Sequence, residues 1–219
     1  ACDSSLLEGN PIHEDMTEAC AMLKPDFLLN TVFTPDGAVS EIVAGHWYEA
    51  WEKGCQDLLK MAGVKIKELA DVVIASAGGY PKDLNLYQSI KCHMNAAFAV
   101  KKGGIMIFTL DCEDIKEPAI FTDCFSRSNL EQFEKDIREA FTVPAFVAFK
   151  GRNILSDVTA YLVTRPENFD FVKRTGHIPC ATLEEAWSLA QAKLAKQGKH
   201  DYTITIMGHG SATLPILEQ

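Results

Sequence analysis

Gln88 and Lys91, one helical turn apart, carry the clearest chemistry in this sequence. With Asn95 they recur at i, i+3 and i+7 on one face of a helix predicted over residues 86–101. Leu86, Ile90, Met94, Ala97 and Phe98 form its apolar stripe. Lysine supplies charge and glutamine a directional hydrogen bond, a pairing that suits a small oxyanion such as a carboxylate. The helix follows the loop Ser76-Ala77-Gly78-Gly79-Tyr80-Pro81-Lys82-Asp83-Leu84-Asn85. Gly78 and Gly79 let the backbone approach a ligand closely, and the helix N-terminus offers free N–H groups. Tyr80 and Lys82 are candidate walls of the same pocket, and Asp83 or Asn85 reads as a helix cap. The loop is neither GxGxxG nor a Walker A motif, so a dinucleotide or triphosphate is not supported. The plainer alternative is a solvated helix face bearing an ordinary lysine.

Positioning such a loop is the task of a parallel sheet, whose ligands bind beyond the carboxyl ends of its strands. From residue 65 onward, short apolar runs at 71–75, 105–110, 160–164 and 202–207 alternate with helical patterns. Those patterns span 86–101, 129–141, 146–156, 169–174 and 183–196, with Gly103-Gly104 read as breaking the first. The alternation predicts a layered α/β domain over residues 65–219, with a mostly parallel sheet flanked by helices. Residues 64–69 read as a connector. Residues 1–64 read differently: a helix from Pro11 to Leu23 capped by Asn10, a hairpin turning at Pro35-Asp36-Gly37, and a helix over 46–62. That segment is expected to be the C-terminal end of a preceding domain, and the start at Ala1 suggests a chain of roughly half its natural length.

A net charge of −9 without a Lys/Arg cluster argues against nucleic acid as a partner. The longest apolar run is far short of a membrane span. Seven scattered cysteines without a CxxC suggest free thiols and a cytoplasmic location. Cys112, directly after an apolar strand, is the one candidate site thiol, with a small hydrophobe filling space as the plainer reading. None of the six histidines has a partner at ligand spacing in the sequence, so all six read as structural or surface residues, and no metal site is expected within this chain.

The run Gly78–Lys91 resembles the nickel-dependent lactate racemase family, whose C-terminal domain contains GG-x-PKD-x-N-x-YQ-x-x-K. Leu7–Asp15 and Asp26–Asn30 also agree, and Ile204–Leu217, with Gly208-His209-Gly210, is similar in style. The resemblance covers essentially the whole chain but only about the second half of a family member. It implies a two-domain 2-hydroxyacid racemase or epimerase, an isomerase with its site in the inter-domain cleft. It also implies a nickel-pincer nucleotide, held mainly by an N-terminal half that supplies the tethering lysine, the nickel-binding histidine and two acid/base histidines. Gln88 and Lys91 would be the substrate-facing pair, with no acid/base or metal residue in this chain, which alone would be inactive. The family also places an aromatic residue, often Trp, against the substrate. Here only Phe146 or Phe149 lies in that region, which leaves the identity of the 2-hydroxy acid open. A non-catalytic anion-binding α/β module is the alternative reading.

Overall fold

A computed structural model describes residue 2, residues 4–127 and residues 129–218. The chain forms two compact units, one ending at Gly63 and one beginning at Val64. In the first, α1 (Pro11–Leu23) starts where the Asn10 side chain accepts hydrogen bonds from the N–H groups of Ile12 and His13. Pro11 costs nothing there, because the first helical N–H has no partner to lose. β1 (Leu28–Phe33) and β2 (Val39–Gly45) form an antiparallel hairpin. α2 (Trp47–Ala62) packs on that hairpin, where Val32, Val43 and Ala50 are buried.

β3 (Gly63–Ile66), which belongs to the second unit from Val64 onward, pairs with β9 (Leu214–Leu217). The Glu218 N–H donates to the Ile66 carbonyl at 2.9 Å. The expected connector at 64–69 therefore begins as a strand, with a partner some 150 residues away that no local pattern reveals. Then follow β4 (Ala70–Ser76), α3 (Leu86–Ala97), β5 (Val100–Thr109), α4 (Ala119–Thr122), α5 (Leu130–Glu139) and α6 (Val143–Ser156). β6 (Thr159–Val163), α7 (Phe169–Thr175), β7 (Ile178–Cys180), α8 (Leu183–Lys196) and β8 (Ile204–Met207) complete the unit before β9. The main sheet is parallel throughout, in the order β7-β6-β5-β4-β8.

Both faces of this sheet are covered, which explains why its strands read as continuous apolar runs. Val73, Ala75, Met106, Phe108, Ala160 and Leu162 share a core with Leu86 and Ala96 of α3 and Ala145 and Ala148 of α6. Val72, Ile105, Ile107 and Tyr161 face Ala186, Ala190 and Leu194 of α8. At the amino end, buried Asp71 accepts from Lys101 at 2.8 Å, Lys199 at 2.5 Å and the Thr203 N–H at 3.2 Å, tying β4 to its flanks. Those lysine hydrogen bonds hold its carboxyl well below the usual carboxylate range.

Several boundaries differ from expectation, and three have a clear local cause. α3 ends at Ala97 rather than Lys101, because Val100 already pairs with Ala70 across β4 and β5. Gly103-Gly104 lies inside β5, where a Cβ on Gly104 would stand 2.7 Å from the Lys101 carbonyl oxygen. The glycines thus permit a bulge and do not break a helix. α6 starts at Val143 rather than Phe146, because Thr142 Oγ1 caps it by accepting from the Ala145 N–H. Among the described residues no helix is long and apolar enough to cross a membrane.

Candidate functional site

In chain order the sheet is built outward from β4 through β5 and β6 to β7, then returns to the other side of β4 as β8. The strand order therefore reverses between β4 and β8, where open parallel sheets form a ligand crevice outside their carboxyl ends. The β4 loop lies at this place. Gly78 and Gly79 take φ values of +101° and +78°, which favour glycine. The loop is anchored on the segment that follows β5: Cys112 N–H donates to the Asp83 carbonyl and Asp114 N–H to the Leu84 carbonyl, both at 2.9 Å. Asp83 does not cap α3; its carboxylate accepts from the Asp111 N–H at 3.4 Å. The cap is Asn85, whose Oδ1 accepts from the Gln88 N–H at 2.9 Å. Tyr80 is 77% exposed, so its ring closes no pocket within this unit, while Lys82 is half-buried.

α3 buries Leu86, Ser89, Ile90, Cys92, His93 and Ala96 and leaves Gln88 and Lys91 exposed, one turn apart near its start. Asn95, next on that stripe, donates from Nδ2 to the Gly210 carbonyl at 2.8 Å. The polar face of α3 thus borders the turn after β8. Gly210 is clamped there: its N–H donates to the Ser76 carbonyl at 2.7 Å, and a Cβ would stand 2.6 Å from Cys92 Sγ. His209, one residue earlier, is exposed, and its Nδ1 lies 3.0 Å from where a Cβ on Gly78 would stand. The Lys82 Cδ lies 3.7 Å from the same point, so both side chains border the space a Cβ on Gly78 would fill. Sequence reasoning set His209 aside because its neighbours are some 130 positions away; the glycines flanking it in Gly208-His209-Gly210 were the available signal.

Two more histidines have partners that spacing could not show. His93 and His177 are buried, with their Nε2 atoms 2.9 Å apart, and His93 stacks on Phe108 at 3.8 Å. The Ser89 carbonyl can only accept, so His93 Nδ1 carries the proton and its Nε2 accepts from His177. Desolvation lowers the pKa of both, that of His93 to about 4. The partners of these two rings are each other, the Ser89 carbonyl and the Thr175 hydroxyl. Cys112 is no site thiol: it is fully buried, and burial pushes its pKa up to about 12. Its φ of +51° is held by the Asp83 hydrogen bond on one side and by Asn168 Nδ2 donating to its carbonyl at 2.9 Å on the other. Phe149 packs edge-on against Phe133 at 5.6 Å, while Phe146, on the first turn of α6, is 42% exposed. Among the described residues no group of three or more His, Cys, Asp or Glu side chains could hold a metal ion.

The sequence over residues 65–214 matches the lactate racemase C-terminal domain. The chain belongs to the lactate racemase family. A lactate racemase from Thermoanaerobacterium thermosaccharolyticum is 31% identical over 201 residues, covering 90% of this chain and 47% of that protein. A lactate racemase from Lactiplantibacillus plantarum is 32% identical over 108 residues, covering 49% of this chain and 25% of that protein. The chain thus spans about half the length, or less, of the curated relatives it matches. The T. thermosaccharolyticum lactate racemase apoprotein superposes with a TM-score of 0.85 at 29% identity, covering 96% of this chain and 51% of that one. A Thermotoga maritima protein superposes with a TM-score of 0.62 at 15% identity, a likeness of fold.

Proposed function

We propose that this chain is the C-terminal part of a 2-hydroxyacid racemase or epimerase, in which Gln88 and Lys91 bind the substrate from the C-terminal side of an inter-domain cleft. Membership of the lactate racemase family supports the reaction class. The observation that carries the assignment is the exposed amide and ammonium of Gln88 and Lys91, one turn apart at the start of α3 and beside the strand-order reversal. Lys91 neutralises the carboxylate or the oxygen on which negative charge develops, and Gln88 fixes its orientation. Gly78, Gly79, Tyr80 and Lys82 shape the approach, and Phe146 offers the aromatic surface at the same end of the sheet. On this reading residues 1–64 end the N-terminal domain and 65–219 form the C-terminal one. The seven unpaired cysteines support a cytoplasmic setting.

The family resemblance brings a nickel-pincer nucleotide, which supplies hydride exchange at the α-carbon. The described residues do not fit as its holders: they lack a ligand cluster, and His93 and His177 are committed to each other. The role of this chain is accordingly to bind and orient the acid, while the N-terminal half holds the cofactor and moves the hydroxyl proton. The test is chiral chromatography of D- and L-2-hydroxy acids incubated with the cofactor-loaded full-length protein and with the 219-residue chain. Racemisation by the former alone is expected. Turnover by the chain alone would overturn the division of labour, and no turnover of any 2-hydroxy acid by the loaded protein would favour a non-catalytic anion-binding module.

A further inference from the structure

The segment that follows β5 meets the β4 loop, and a buried amide holds it there. Asn168 is 4% exposed and ends the short turn Pro166–Asn168 that leads into α7. Its Nδ2 donates to the Cys112 carbonyl at 2.9 Å, to Thr164 Oγ1 at 3.1 Å and to the Asp111 carbonyl at 3.4 Å. Thr164 is buried as well, and its hydroxyl donates to the Asp111 carbonyl at 2.8 Å. An apolar side chain would serve packing alone, and a buried amide is costly unless bonded, so these bonds account for the residue type. The backbone they hold is strained. Cys112 has a φ of +51°, a left-handed conformation that an L residue keeps only where its surroundings over-determine it.

The same peptide carries the β4 loop. While Asn168 holds the Cys112 carbonyl, the Cys112 N–H donates to the Asp83 carbonyl, and the Asp114 N–H donates to that of Leu84. Asn85, next in the chain and buried, accepts from the Gln88 N–H at Oδ1 and from Ser89 Oγ at its carbonyl, the latter at 2.6 Å. A continuous path of hydrogen bonds and chain therefore runs from Asn168 through Cys112, Asp83 and Asn85 to the backbone of Gln88. We infer that Asn168 is a positioning residue for Gln88: by fixing the left-handed backbone at Cys112, it sets where residues 83–85 lie and so where the first turn of α3 presents the Gln88 amide. The inference rests on the proposed role of Gln88 in orienting the 2-hydroxy acid. Leu86 and Ala96 seat α3 in the core through apolar contacts, which have no preferred direction. Orientation of a bound acid by one amide tolerates little displacement, and the hydrogen-bonded path supplies the direction that apolar packing lacks.

Asn168→Ala removes the amide donor, Thr164→Val removes the hydroxyl while keeping the shape, and Thr164→Ser keeps the hydroxyl as a control. Hydrogen exchange followed by mass spectrometry on the full-length protein reads the loop without any turnover. Peptides spanning 83–90 and 111–115 should exchange about tenfold faster in Asn168→Ala and Thr164→Val, with the α8 peptide 183–196 as in the wild type and Thr164→Ser within about twofold of it throughout. Unchanged exchange at 83–90 overturns the inference, as does an equal rise in α8, because the amide would then serve only the stability of the unit. In the cofactor-loaded protein, Asn168→Ala should lower kcat/KM for L-lactate about tenfold with nickel content unchanged. In a Gln88→Ala background the same substitution should cost less than about twofold. No loss with Gln88 present, or the same tenfold loss in Gln88→Ala, overturns it. Should Asn168→Ala not fold, Thr164→Val carries both measurements. Absence of turnover in the wild-type loaded protein counts against the racemase reading and leaves the exchange result to decide Asn168.

Discussion

Lowering the pH from 7 to 5 should weaken the second unit through the His93–His177 pair, well before any carboxylate responds. In the neutral pair Ser89 accepts from His93 Nδ1, and a single proton lies between the two Nε2 atoms across 2.9 Å. A further proton would place a net positive charge in a fully buried site against Phe108, and the loss of water there is what opposes it. The folded state therefore resists protonation of His93 until about pH 4, whereas the unfolded chain takes the proton near 6.5. Below 6.5 the unfolded state binds more protons, so stability is complete above that value and falls as the pH drops toward 4. At about 1.4 kcal/mol per unit, the drop from pH 6.5 to 5 costs about 2 kcal/mol from His93. His177 adds in the same direction, since burial also lowers its pKa. Urea unfolding followed by Trp187 fluorescence, with Trp47 and Trp51 replaced by Phe, reads this unit alone. Stability unchanged between pH 6.5 and 5, or either imidazole titrating near 6.5 by NMR in the folded protein, would refute the reasoning.

Other expectations follow from the same structure. Asp71→Asn should cost about 2–4 kcal/mol, because it removes the carboxylate shared by Lys101, Lys199 and Thr203, and urea midpoints at pH 7 measure it. The depressed carboxyl pKa of Asp71 also stabilises the fold above its ordinary value of 3.8, a contribution lost as the pH falls further, so the variant should show a flatter acid limb below pH 4. In thiol labelling at pH 8, Cys2 should react quickly while Cys92 and Cys112 stay unmodified until unfolding, since burial raises both thiols to about 12. Rapid labelling of Cys112, detected by peptide mass, would restore it as a site thiol.

How much was legible in the sequence depended on how local the cause was. α1 and α8 have their expected limits because their signals are adjacent residues: Asn10-Pro11 for one, and an amphipathic run beginning after Thr182 for the other. The parallel α/β sheet was equally readable from its apolar runs. β3 and β9 escaped because each is defined by the other, and β7 because three residues including Pro179 carry no periodicity. At the proposed site, Gln88 and Lys91 share a face by helical spacing, the family resemblance singles them out from an ordinary solvated face, and the structure leaves both exposed. The nearness of His209 to Gly78 could not be read, since it depends on β8 lying beside β4. Cys112 could be read either way from its position after a strand; the cover supplied by Asn168 and the 83–84 loop makes it the space-filling hydrophobe.

The central claim is that Lys91 binds the substrate while the cofactor is held elsewhere, and one comparison addresses it. Lys91→Ala and Lys91→Arg are made in the cofactor-loaded full-length protein, with nickel content and racemisation measured on the same samples. Lys91→Ala should keep its nickel and lose about 100-fold or more in kcat/KM, with Lys91→Arg retaining part of the activity through its charge. Near-normal turnover by Lys91→Ala would contradict the account, as would loss of nickel together with activity.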